Sequence, residues 1–267
     1  MQQNKVSLTH PAAGSHIEVT DLTMAYGDFV IQHDLNFTIR RGDIFIIMGG
    51  SGCGKSTLLR HLIGLKKPAQ GDIRYEGDSF WKLDVSKRQG LMRRMGVLYQ
   101  SGALWTSMTL AENITLPIEA YTDLSASQAR ELASFKLSLV GLKGFEDYYP
   151  AEISGGMQKR AGLARAMALD PELLFFDEPS AGLDPVSAKR LDDLIIELSE
   201  SLGTTIVVVT HELASIFAIG NNSVFLDPES KTMIAHGDPG NLLHNSSDAR
   251  VHEFLTRGDT LSQTTGN

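Results

Sequence analysis

Residues 44–56 read Ile-Phe-Ile-Ile-Met-Gly-Gly-Ser-Gly-Cys-Gly-Lys-Ser, an apolar run that leads directly into a glycine-rich loop. The run predicts a strand buried on both faces, and residues Thr57 to Leu65 predict a helix after the loop. Gly49 to Ser56 matches the phosphate-loop spacing Gly-x-x-x-x-Gly-Lys-Ser/Thr, which requires this strand–loop–helix context. Because all three features occur together, a phosphate site is favoured over a glycine-rich turn with a stray lysine.

The predicted loop binds phosphate mainly through its backbone. Glycines allow several N–H groups to point at phosphate oxygens, and the following helix adds the positive end of its dipole. Lys55 supplies a charge for the β- and γ-phosphates, and the Ser56 hydroxyl is a candidate magnesium ligand. Cys53 is interpreted as a small residue tolerated in a tight loop rather than as a reactive thiol. The predicted binding residues are Gly49, Gly50, Ser51, Gly52, Cys53, Gly54, Lys55, Ser56 and Thr57.

A second apolar run, from Leu173 to Phe176, ends in the two carboxylates Asp177 and Glu178. In a chain that also has a phosphate loop, an aspartate at the end of such a strand can hold magnesium, directly or through water. Successive residues of a strand point in opposite directions. The sequence therefore predicts that Asp177 holds the metal and that Glu178 accepts a proton from the attacking water.

His211 follows the apolar segment Thr205–Thr210. Open α/β sheets place their chemistry at the carboxyl ends of strands. Beside the other motifs, this position favours a contact between His211 and the γ-phosphate over a histidine that merely begins a helix.

Residues 154–158, Ser-Gly-Gly-Met-Gln, open a predicted helix that runs to about Leu169. A serine followed by two glycines offers exposed N–H groups, a capping hydroxyl and no obstructing side chains. A plain N-cap is the alternative, although glycines inside a helix cost about 1 kcal/mol each. The pattern predicts a second anion-binding helix start, without deciding whether it meets the phosphate loop within one chain or between two. Its residues are Ser154, Gly155, Gly156, Met157 and Gln158.

The remaining pattern predicts an α/β protein. Residues 16–40 alternate as two antiparallel strands joined at Gly27-Asp28, and later buried strands alternate with helices, as in a parallel sheet. A helix is predicted over Pro185–Leu202, with Asp184 as its N-cap. Two capping boxes, Thr109 with Glu112 and Ser125 with Gln128, support a mainly helical segment. The basic stretch Ser86–Arg94 is interpreted as a solvated helix face in preference to a nucleic-acid patch.

Composition limits the class of protein. The 267 residues include 24 Lys and Arg against 32 Asp and Glu, a net charge of −8, which argues against sequence-independent nucleic-acid binding. The single cysteine excludes an intrachain disulfide framework, the polar first residues do not form a secretory signal, and no apolar run approaches the roughly 20 residues of a membrane helix.

We expect one folded domain over 16–257, with a helical subdomain at about 101–170 and flexible termini at 1–15 and 258–267.

Together these motifs resemble the ATP-binding-cassette (ABC) ATPases over about Ile17 to Ala235. The resemblance implies a P-loop NTPase core with a mainly parallel sheet, an antiparallel β subdomain and an inserted α-helical subdomain. Gly49–Ser56 matches the Walker A loop, Leu173–Asp177 matches Walker B, and Glu178 matches the catalytic glutamate. Residues 154–158 match the family signature, which usually reads SGGQQ.

Further positions match the same family. Gln100 falls at the Q-loop, Asp184 at the D-loop and His211 at the switch histidine, while Tyr26 fits the aromatic that stacks on adenine or, alternatively, ordinary strand packing. The resemblance implies ATP and Mg²⁺ as cofactors and a head-to-tail homodimer, with each ATP between the Walker A loop of one subunit and the signature helix of the other. It places Ser56, Gln100 and Asp177 at the metal, and Lys55, Gln100, Glu178 and His211 in catalysis.

Residues 99–117, YQSGALWTSMTLAENITLP, and the variant signature SGGMQKR are similar, more narrowly, to the ATPases of MCE-type lipid transporters such as the bacterial Mla system. This resemblance implies ATP-driven phospholipid transport at the cytoplasmic face of the inner membrane. The implied partners are two permease subunits, an MCE-domain substrate-binding ring and often a STAS-domain regulator, with no nucleic acid. Two positions depart from the common pattern: Gly50 stands where many relatives have proline, and Met157, shared with the MCE group, replaces the signature glutamine.

Three rival functions are transport of another substrate such as an amino acid or a lipoprotein, a non-transport ABC role, and an inactive nucleotide-binding regulator. The sequence shows neither the long coiled coils nor the second cassette usual in the non-transport class, and the presence of Lys55, Asp177, Glu178 and His211 argues against an inactive regulator.

Two segments also keep two interpretations. Residues 102–116 lie where such cassettes usually receive a permease coupling helix, although core packing explains some of the same side chains, namely Leu104, Trp105, Met108 and Leu110. Residues 239–257 have helical spacing that suits a tail docked on a neighbour or a plain terminal helix.

Overall fold

The computed structural model describes residues 14–256. The strands are β1 (Ser15–Tyr26), β2 (Phe29–Arg40), β3 (Ile44–Gly49), β4 (Gln70–Tyr75), β5 (Asp78–Ser79), β6 (Met95–Leu98), β7 (Leu173–Asp177), β8 (Thr205–Val209), β9 (Asn222–Asp227) and β10 (Thr232–His236). The α-helices are α1 (Lys55–Leu62), α2 (Val85–Arg93), α3 (Leu110–Tyr121), α4 (Ala126–Leu139), α5 (Gly155–Ala166), α6 (Pro185–Leu202), α7 (Leu213–Ile219), α8 (Pro239–Asn245) and α9 (Ala249–Thr256). Of the termini predicted to be flexible, residues 1–13 and 258–267 lie outside the described residues, whereas Gly14 is described and Ser15 begins β1.

A six-stranded sheet forms the centre of the molecule, in the order β10-β9-β3-β8-β7-β6. The strands from β9 to β6 run parallel, and β10 pairs antiparallel with β9 at one edge. Strands β3 and β8 are buried along their whole length, which explains why their sequences are continuous apolar runs rather than alternating ones. The predicted α/β class with a mainly parallel sheet is confirmed.

Successive residues of β3 belong to two different hydrophobic cores. Ile44, Ile46 and Met48 pack with side chains of α3 to α7 and α9. Phe45 and Ile47 pack on the opposite face, with side chains of α1 and of the antiparallel strands β1, β2 and β4. Because side chains alternate along a strand, the central sheet separates a helical layer from a layer that contains a second sheet.

The second sheet is antiparallel, in the order β2-β1-β4-β5. Its two long strands form the predicted hairpin: Tyr26 pairs with Phe29 across the two-residue turn, and Gly27 adopts the left-handed φ of 57° that this turn requires. One face of the sheet covers α1 and the phosphate-loop side of the central sheet.

The helical layer begins at the capped helices that the sequence predicts. The Glu112 N–H donates to Thr109 Oγ1 at 3.2 Å, and the Thr109 N–H donates to Glu112 Oε2 at 2.7 Å. The same reciprocal pattern joins Ser125 and Gln128 at the start of α4. Asp184 caps α6 by accepting from two backbone N–H groups at 3.0 Å each. These helix starts are therefore stabilised locally.

Some helical boundaries differ from the prediction. Helix α1 begins at Lys55 rather than Thr57 and ends at Leu62 rather than Leu65, because Gly64 adopts φ 77° and stops the helix. Helix α5 ends at Ala166 rather than Leu169. The described part of the segment 239–257, residues 239–256, contains two helices, and Val251 of the second is buried in the core of its own domain. Within residues 14–256, no helix combines the length and hydropathy that a membrane span requires.

Candidate active site

Four adjacent parallel strands of the central sheet end at one cavity of about 760 Å³. Strand β3 leads into the phosphate loop, Gln100 follows β6, Glu178 follows β7 and His211 follows β8. This arrangement is expected when chemistry is placed at the carboxyl edge of a parallel sheet. The lining residues are Gly49, Gly50, Ser51, Gly52, Gly54, Lys55, Ser56, Thr57, Gln100, Glu178, His211, Leu213 and Phe254.

Two glycines of the phosphate loop are required by their surroundings. A Cβ atom on Gly49 would lie 2.3 Å from the backbone oxygen of Leu226, and one on Gly54 would lie 2.7 Å from the side chain of Ile31. Both glycines also have positive φ angles, 144° and 100°. A side chain at either position would therefore push the loop away from the wall that supports it.

Lys55 is held beside the loop that it follows. Its ammonium donates to the carbonyl oxygens of Gly49 and Gly50 at 3.0 and 2.9 Å. The charged group thus lies on the cavity wall, at the positive start of α1. This is the position in which a lysine attracts the phosphate oxygens of a nucleotide.

Cys53 alone among residues 49–57 does not line the cavity. Its side chain is buried in the core that includes α1, and burial raises the pKa of its thiol, as expected for an unreactive structural cysteine. The buried side-chain amide of Gln32 donates to the carbonyl oxygens of Cys53 and Asp227, at 2.8 and 2.9 Å. Gln32 thus anchors the phosphate loop to β9. The alternating pattern of its strand did not indicate this role.

Ser56 and Asp177 place two oxygen atoms side by side. The Ser56 hydroxyl donates to Asp177 Oδ1 over 3.0 Å. Hydroxyl and carboxylate oxygens are the hard donors that Mg²⁺ prefers, and Mg²⁺ usually retains waters and phosphate oxygens as its other ligands. The two residues present therefore fit a magnesium site that opens into the nucleotide cavity.

Glu178 does not lie on the strand, contrary to the argument from strand alternation. Strand β7 ends at Asp177, and Glu178 adopts a left-handed φ of 48°. Its carboxylate reaches the cavity because the backbone turns there, while alternation along the strand plays no part. Oε1 of Glu178 lies 2.8 Å from Nδ1 of His211, and Oε2 is buried without a hydrogen-bond partner. A buried carboxylate oxygen with no partner is suited to accept a hydrogen bond from a bound molecule.

Gln100 also lines the cavity. It is distant from the phosphate loop in the sequence, but both line the same cavity. Its backbone carbonyl accepts a hydrogen bond from the ammonium of Lys159 in α5. The sequence singled out Gln100 and the start of α5 as separate features. It did not indicate that a buried lysine joins them.

The serine–glycine–glycine helix start lies away from this cavity. Ser154 caps α5 by accepting from the Met157 N–H at 3.3 Å, and an added Cβ on Gly155 would meet nothing within 4 Å. Gln158 turns inward and donates to the Pro150 carbonyl at 2.8 Å. Residues 154–158 do not line the cavity in the described part of the chain, so one chain does not bring the two predicted anion sites together.

Tyr26 lies at the tip of the β1–β2 hairpin and is 49% exposed. The ammonium of Lys66 lies 2.8 Å from the centre of its ring, and a hydrogen bond with Arg60 lowers the pKa of its hydroxyl group. Tyr26 does not line the cavity, but the side chain of Thr57, which does, contributes to lowering the pKa of the Tyr26 hydroxyl. The exposed ring therefore stands close to the cavity rim, and its exposure does not favour the strand-packing interpretation.

The fold and the site together define an ATP-binding cassette. Residues 32–181 match the family model described as ABC transporter, and the chain belongs to this family. Among its curated relatives is the intermembrane phospholipid transport system ATP-binding protein MlaF of Haemophilus influenzae, 41% identical over 90% of this chain and 89% of the relative. MlaF of Escherichia coli K12 is 38% identical over 90% and 88%. The probable ribonucleotide transport ATP-binding protein mkl of Mycobacterium tuberculosis is 38% identical over 91% and 67%.

Solved structures agree with this membership. The dimeric post-hydrolysis form of the ATP-binding cassette MJ0796, bound to ADP and Pi, superposes with a TM-score of 0.75 at 28% identity over 83% of this chain and 98% of that one. The cassette cbiO1 of Clostridium perfringens superposes with a TM-score of 0.79 over 95% and 100% of the two chains. Its identity of 23% makes that likeness one of fold alone.

Proposed function

We propose that this ABC ATPase powers phospholipid transport of the Mla type at the cytoplasmic face of a bacterial inner membrane. The observation that carries the proposal is the convergence of the phosphate loop, Gln100, Glu178 and His211 on one cavity. The choice of substrate rests on the resemblance of residues 99–117 to MCE-type ATPases and on the 41% identity to a relative named for intermembrane phospholipid transport.

Each residue of the cavity has a proposed role in ATP hydrolysis. Lys55 and the loop N–H groups hold the phosphates. Ser56 and Asp177, with Gln100, would hold Mg²⁺, and the bound ion would neutralise negative charge on the phosphates. Glu178 accepts the proton of the attacking water. His211 orients the Glu178 carboxylate through the 2.8 Å contact and meets the γ-phosphate from the same side. Tyr26 supplies a stacking surface for adenine.

The proposed active unit is a head-to-tail homodimer. The helix start at Ser154 lies outside the cavity of its own chain, and Gly155 leaves space for an approaching group. A second copy would bring this capped helix start to the γ-phosphate held by the first copy. The solved relative bound to ADP and Pi is dimeric, which supports the proposal. ATP then drives closure to the extent that it binds the closed dimer more tightly than the open one.

A groove beside β6, the edge strand of the central sheet, suits a permease segment. It has a volume of about 780 Å³ and lies between α2, the strand end at β6 and the region of α3. Trp105 and Tyr121 are exposed at 58% and 53%, while Arg93 and Arg165 add positive charge to its wall. Of the residues with two interpretations, Trp105 faces the groove, whereas Leu110 is buried in the core and Leu104 packs against it. Two copies of the chain would seat two permease subunits.

The experiment that tests the proposal is purification of the tagged chain from its native membranes, followed by identification of the co-purified proteins and lipids. We expect an integral-membrane permease, an MCE-domain protein and bound phospholipid, with or without a STAS-domain subunit. Reconstituted in vesicles, the assembly should show ATP-dependent phospholipid movement that a Glu178→Gln assembly lacks. Stimulation of ATP hydrolysis by a ribonucleotide or an amino acid, with no phospholipid bound, would overturn the choice of substrate and leave the ATPase assignment in place.

A further inference from the structure

Side chains of α5 hold the loop formed by residues 100–103 through its backbone carbonyls. Lys159 donates to the carbonyl of Gln100, and Arg165 donates to that of Ala103. A second guanidinium nitrogen of Arg165 lies 3.5 Å from the carbonyl oxygen of Gly102. Gly102 and Ala103 have left-handed φ angles of 74° and 52°, so the loop is not regular secondary structure. Two cationic side chains supply the hydrogen bonds that its carbonyl groups need.

The helix approaches this loop closely enough to require glycine. A Cβ atom on Gly162 would lie 2.9 Å from the carbonyl oxygen of Gly102 and 2.9 Å from the side chain of Leu98. A Cβ atom on Gly102 would in turn lie 3.3 Å from the carbonyl oxygen of Gln158. The backbones of the loop and of α5 are thus in direct contact and not joined only through long side chains, so we expect a displacement of α5 to displace the loop.

Lys159 is unusual among these contacts because its charge is buried. Only 6% of the residue is exposed, and burial lowers the pKa of its ammonium while the charge of Glu178 opposes that shift. A buried ammonium is costly unless hydrogen bonds and opposite charge compensate it. The Gln100 carbonyl supplies the hydrogen bond and Glu178 supplies the charge. Lys159 therefore interacts with two predicted residues of the active site.

We propose that Lys159 is a positioning residue that fixes Gln100 relative to Glu178 and so transmits movement of α5 to hydrolysis in the cavity of the same chain. The proposal rests on the functions proposed above for Gln100, Glu178 and the helix start at Ser154. Helix α5 carries Ser154 at its cap and Lys159 in its second turn. When the nucleotide of a second copy binds at that cap, it would displace α5. Because α5 is one helix, this displacement would also move Gln100, which serves the nucleotide of the first chain.

The test compares variants of the two neighbouring basic residues of α5. Lys159→Met keeps most of the length of the side chain and removes its charge and donors, Lys159→Arg retains both, and Lys159→Gln keeps a shorter neutral donor. Arg160→Met is the matched control, because Arg160 donates to the carbonyls of Val140 and Gly141 at 2.9 and 3.3 Å, away from Gln100. All are assayed in the preparation, isolated chain or permease complex, in which the wild type hydrolyses ATP.

We expect Lys159→Met to lower kcat about tenfold to a hundredfold while KM for ATP changes less than about twofold, since misplaced catalytic groups slow chemistry more than they weaken binding. Lys159→Gln should lie between Lys159→Met and the wild type, and Lys159→Arg should recover most of kcat. Amide hydrogen exchange in residues 99–104 should become about tenfold faster in Lys159→Met and stay unchanged in Arg160→Met.

Wild-type kcat in both Lys159→Met and Lys159→Gln would overturn the proposal, as would an equal fall in kcat and equal exchange at 99–104 in Arg160→Met. A Glu178→Gln variant measured in the same series separates the two levels of inference. If Glu178→Gln abolishes turnover and Lys159→Met does not change it, only the positioning function of Lys159 is wrong. If Glu178→Gln turns over at the wild-type rate, the proposed chemistry of the cavity is wrong, and the function of Lys159 with it.

Discussion

The hydroxyl oxygen of Ser56 lies 3.0 Å from Oδ1 of Asp177, although 121 residues separate the two in the chain. In the sheet order β3-β8-β7, the strands that lead to these residues are not neighbours. The contact therefore reaches across the end of β8, and it forms only when all three strands are assembled. Two hard oxygen donors are placed together by the tertiary fold rather than by a local motif.

This contact gives a prediction about magnesium. Asp177→Asn removes the charged oxygen and should weaken Mg²⁺-dependent ATP binding at least about tenfold, since even the loss of an indirect ligand contact costs that much. Binding of ATP in the presence of a chelator should change little. Titration calorimetry with and without Mg²⁺ measures the difference, and Asp193→Asn, an exposed aspartate on α6, is the control. An equal loss of affinity in both conditions would show that Asp177 acts on the fold and not on the metal.

Glu178 and His211 give a prediction about turnover. Glu178→Gln should retain ATP binding while kcat falls about 10²–10⁴-fold, because the amide cannot accept a proton. Glu212→Gln is a close control, since this exposed carboxylate lies 3.8 Å from the other nitrogen of His211 and does not line the cavity. Steady-state ATP hydrolysis and fluorescent-nucleotide binding measure the two effects separately. A Glu178→Gln protein that hydrolyses ATP at the wild-type rate removes Glu178 from the role of base.

The groove beside β6 gives a prediction about assembly. Trp105→Ala should weaken association with the permease by about 2 kcal/mol, the loss typical of an aromatic residue at the centre of an interface. The control is Phe135→Ala, because Phe135 is similarly exposed at 54% and lies outside the groove. Co-purification at increasing salt and detergent compares the two variants. Equal retention of the permease by both would place the docking surface elsewhere.

Acid stability depends on a cluster at the opposite end of the sheet. Burial lowers the pKa of His16 to about 4, and its Nδ1 lies 2.8 Å from Thr205 Oγ1. Hydrogen bonds from Arg94 lower the pKa of Glu172 to about 2. Both folded-state pKa values lie below the unfolded ones. The unfolded chain therefore binds more protons as the pH falls, and the free energy of unfolding decreases with it.

We expect His16 to reduce stability as the pH falls from about 6.5 to 4, and Glu172 to reduce it from about 4.5 to 2. Glu172→Gln should destabilise the protein at pH 7 by only about 1 kcal/mol or less, because the carboxylate is 43% exposed and screened by solvent. The variant should also show a flatter loss of stability below pH 4.5. Urea unfolding between pH 7 and 3 measures this, with exposed Glu200→Gln as the control; parallel curves for Glu172→Gln and the wild type would contradict it.

Local signals predicted the parts of the fold that local contacts determine. The capping boxes at Thr109 and Ser125, the N-cap Asp184 and the buried strand before Gly49 are each formed by residues a few positions apart. Their bonds are largely independent of the rest of the chain. For the same reason, the residues that line the cavity at Gly49–Thr57, apart from Cys53, were accessible from the sequence.

The parts that depend on distant contacts could not be predicted in this way. Gln32 supports the phosphate loop from a strand in the other sheet, and Lys159 reaches a carbonyl 59 positions away. Neither residue carries a spacing signal. The orientation of Glu178 depends on a left-handed turn after β7, which strand alternation does not describe.

The alternation of β3 between two cores has a consequence for how such proteins diversify. Ile44 and Ile46 pack with the helices α3 to α7 and α9, whereas Phe45 and Ile47 pack with α1 and the strands on the side of the phosphate loop. We therefore expect substitutions among these helices to be accommodated by repacking around Ile44 and Ile46, while Phe45 and Ile47 keep the packing under the phosphate loop. Helices that contact other subunits can thereby change between related proteins while the nucleotide site keeps its structure.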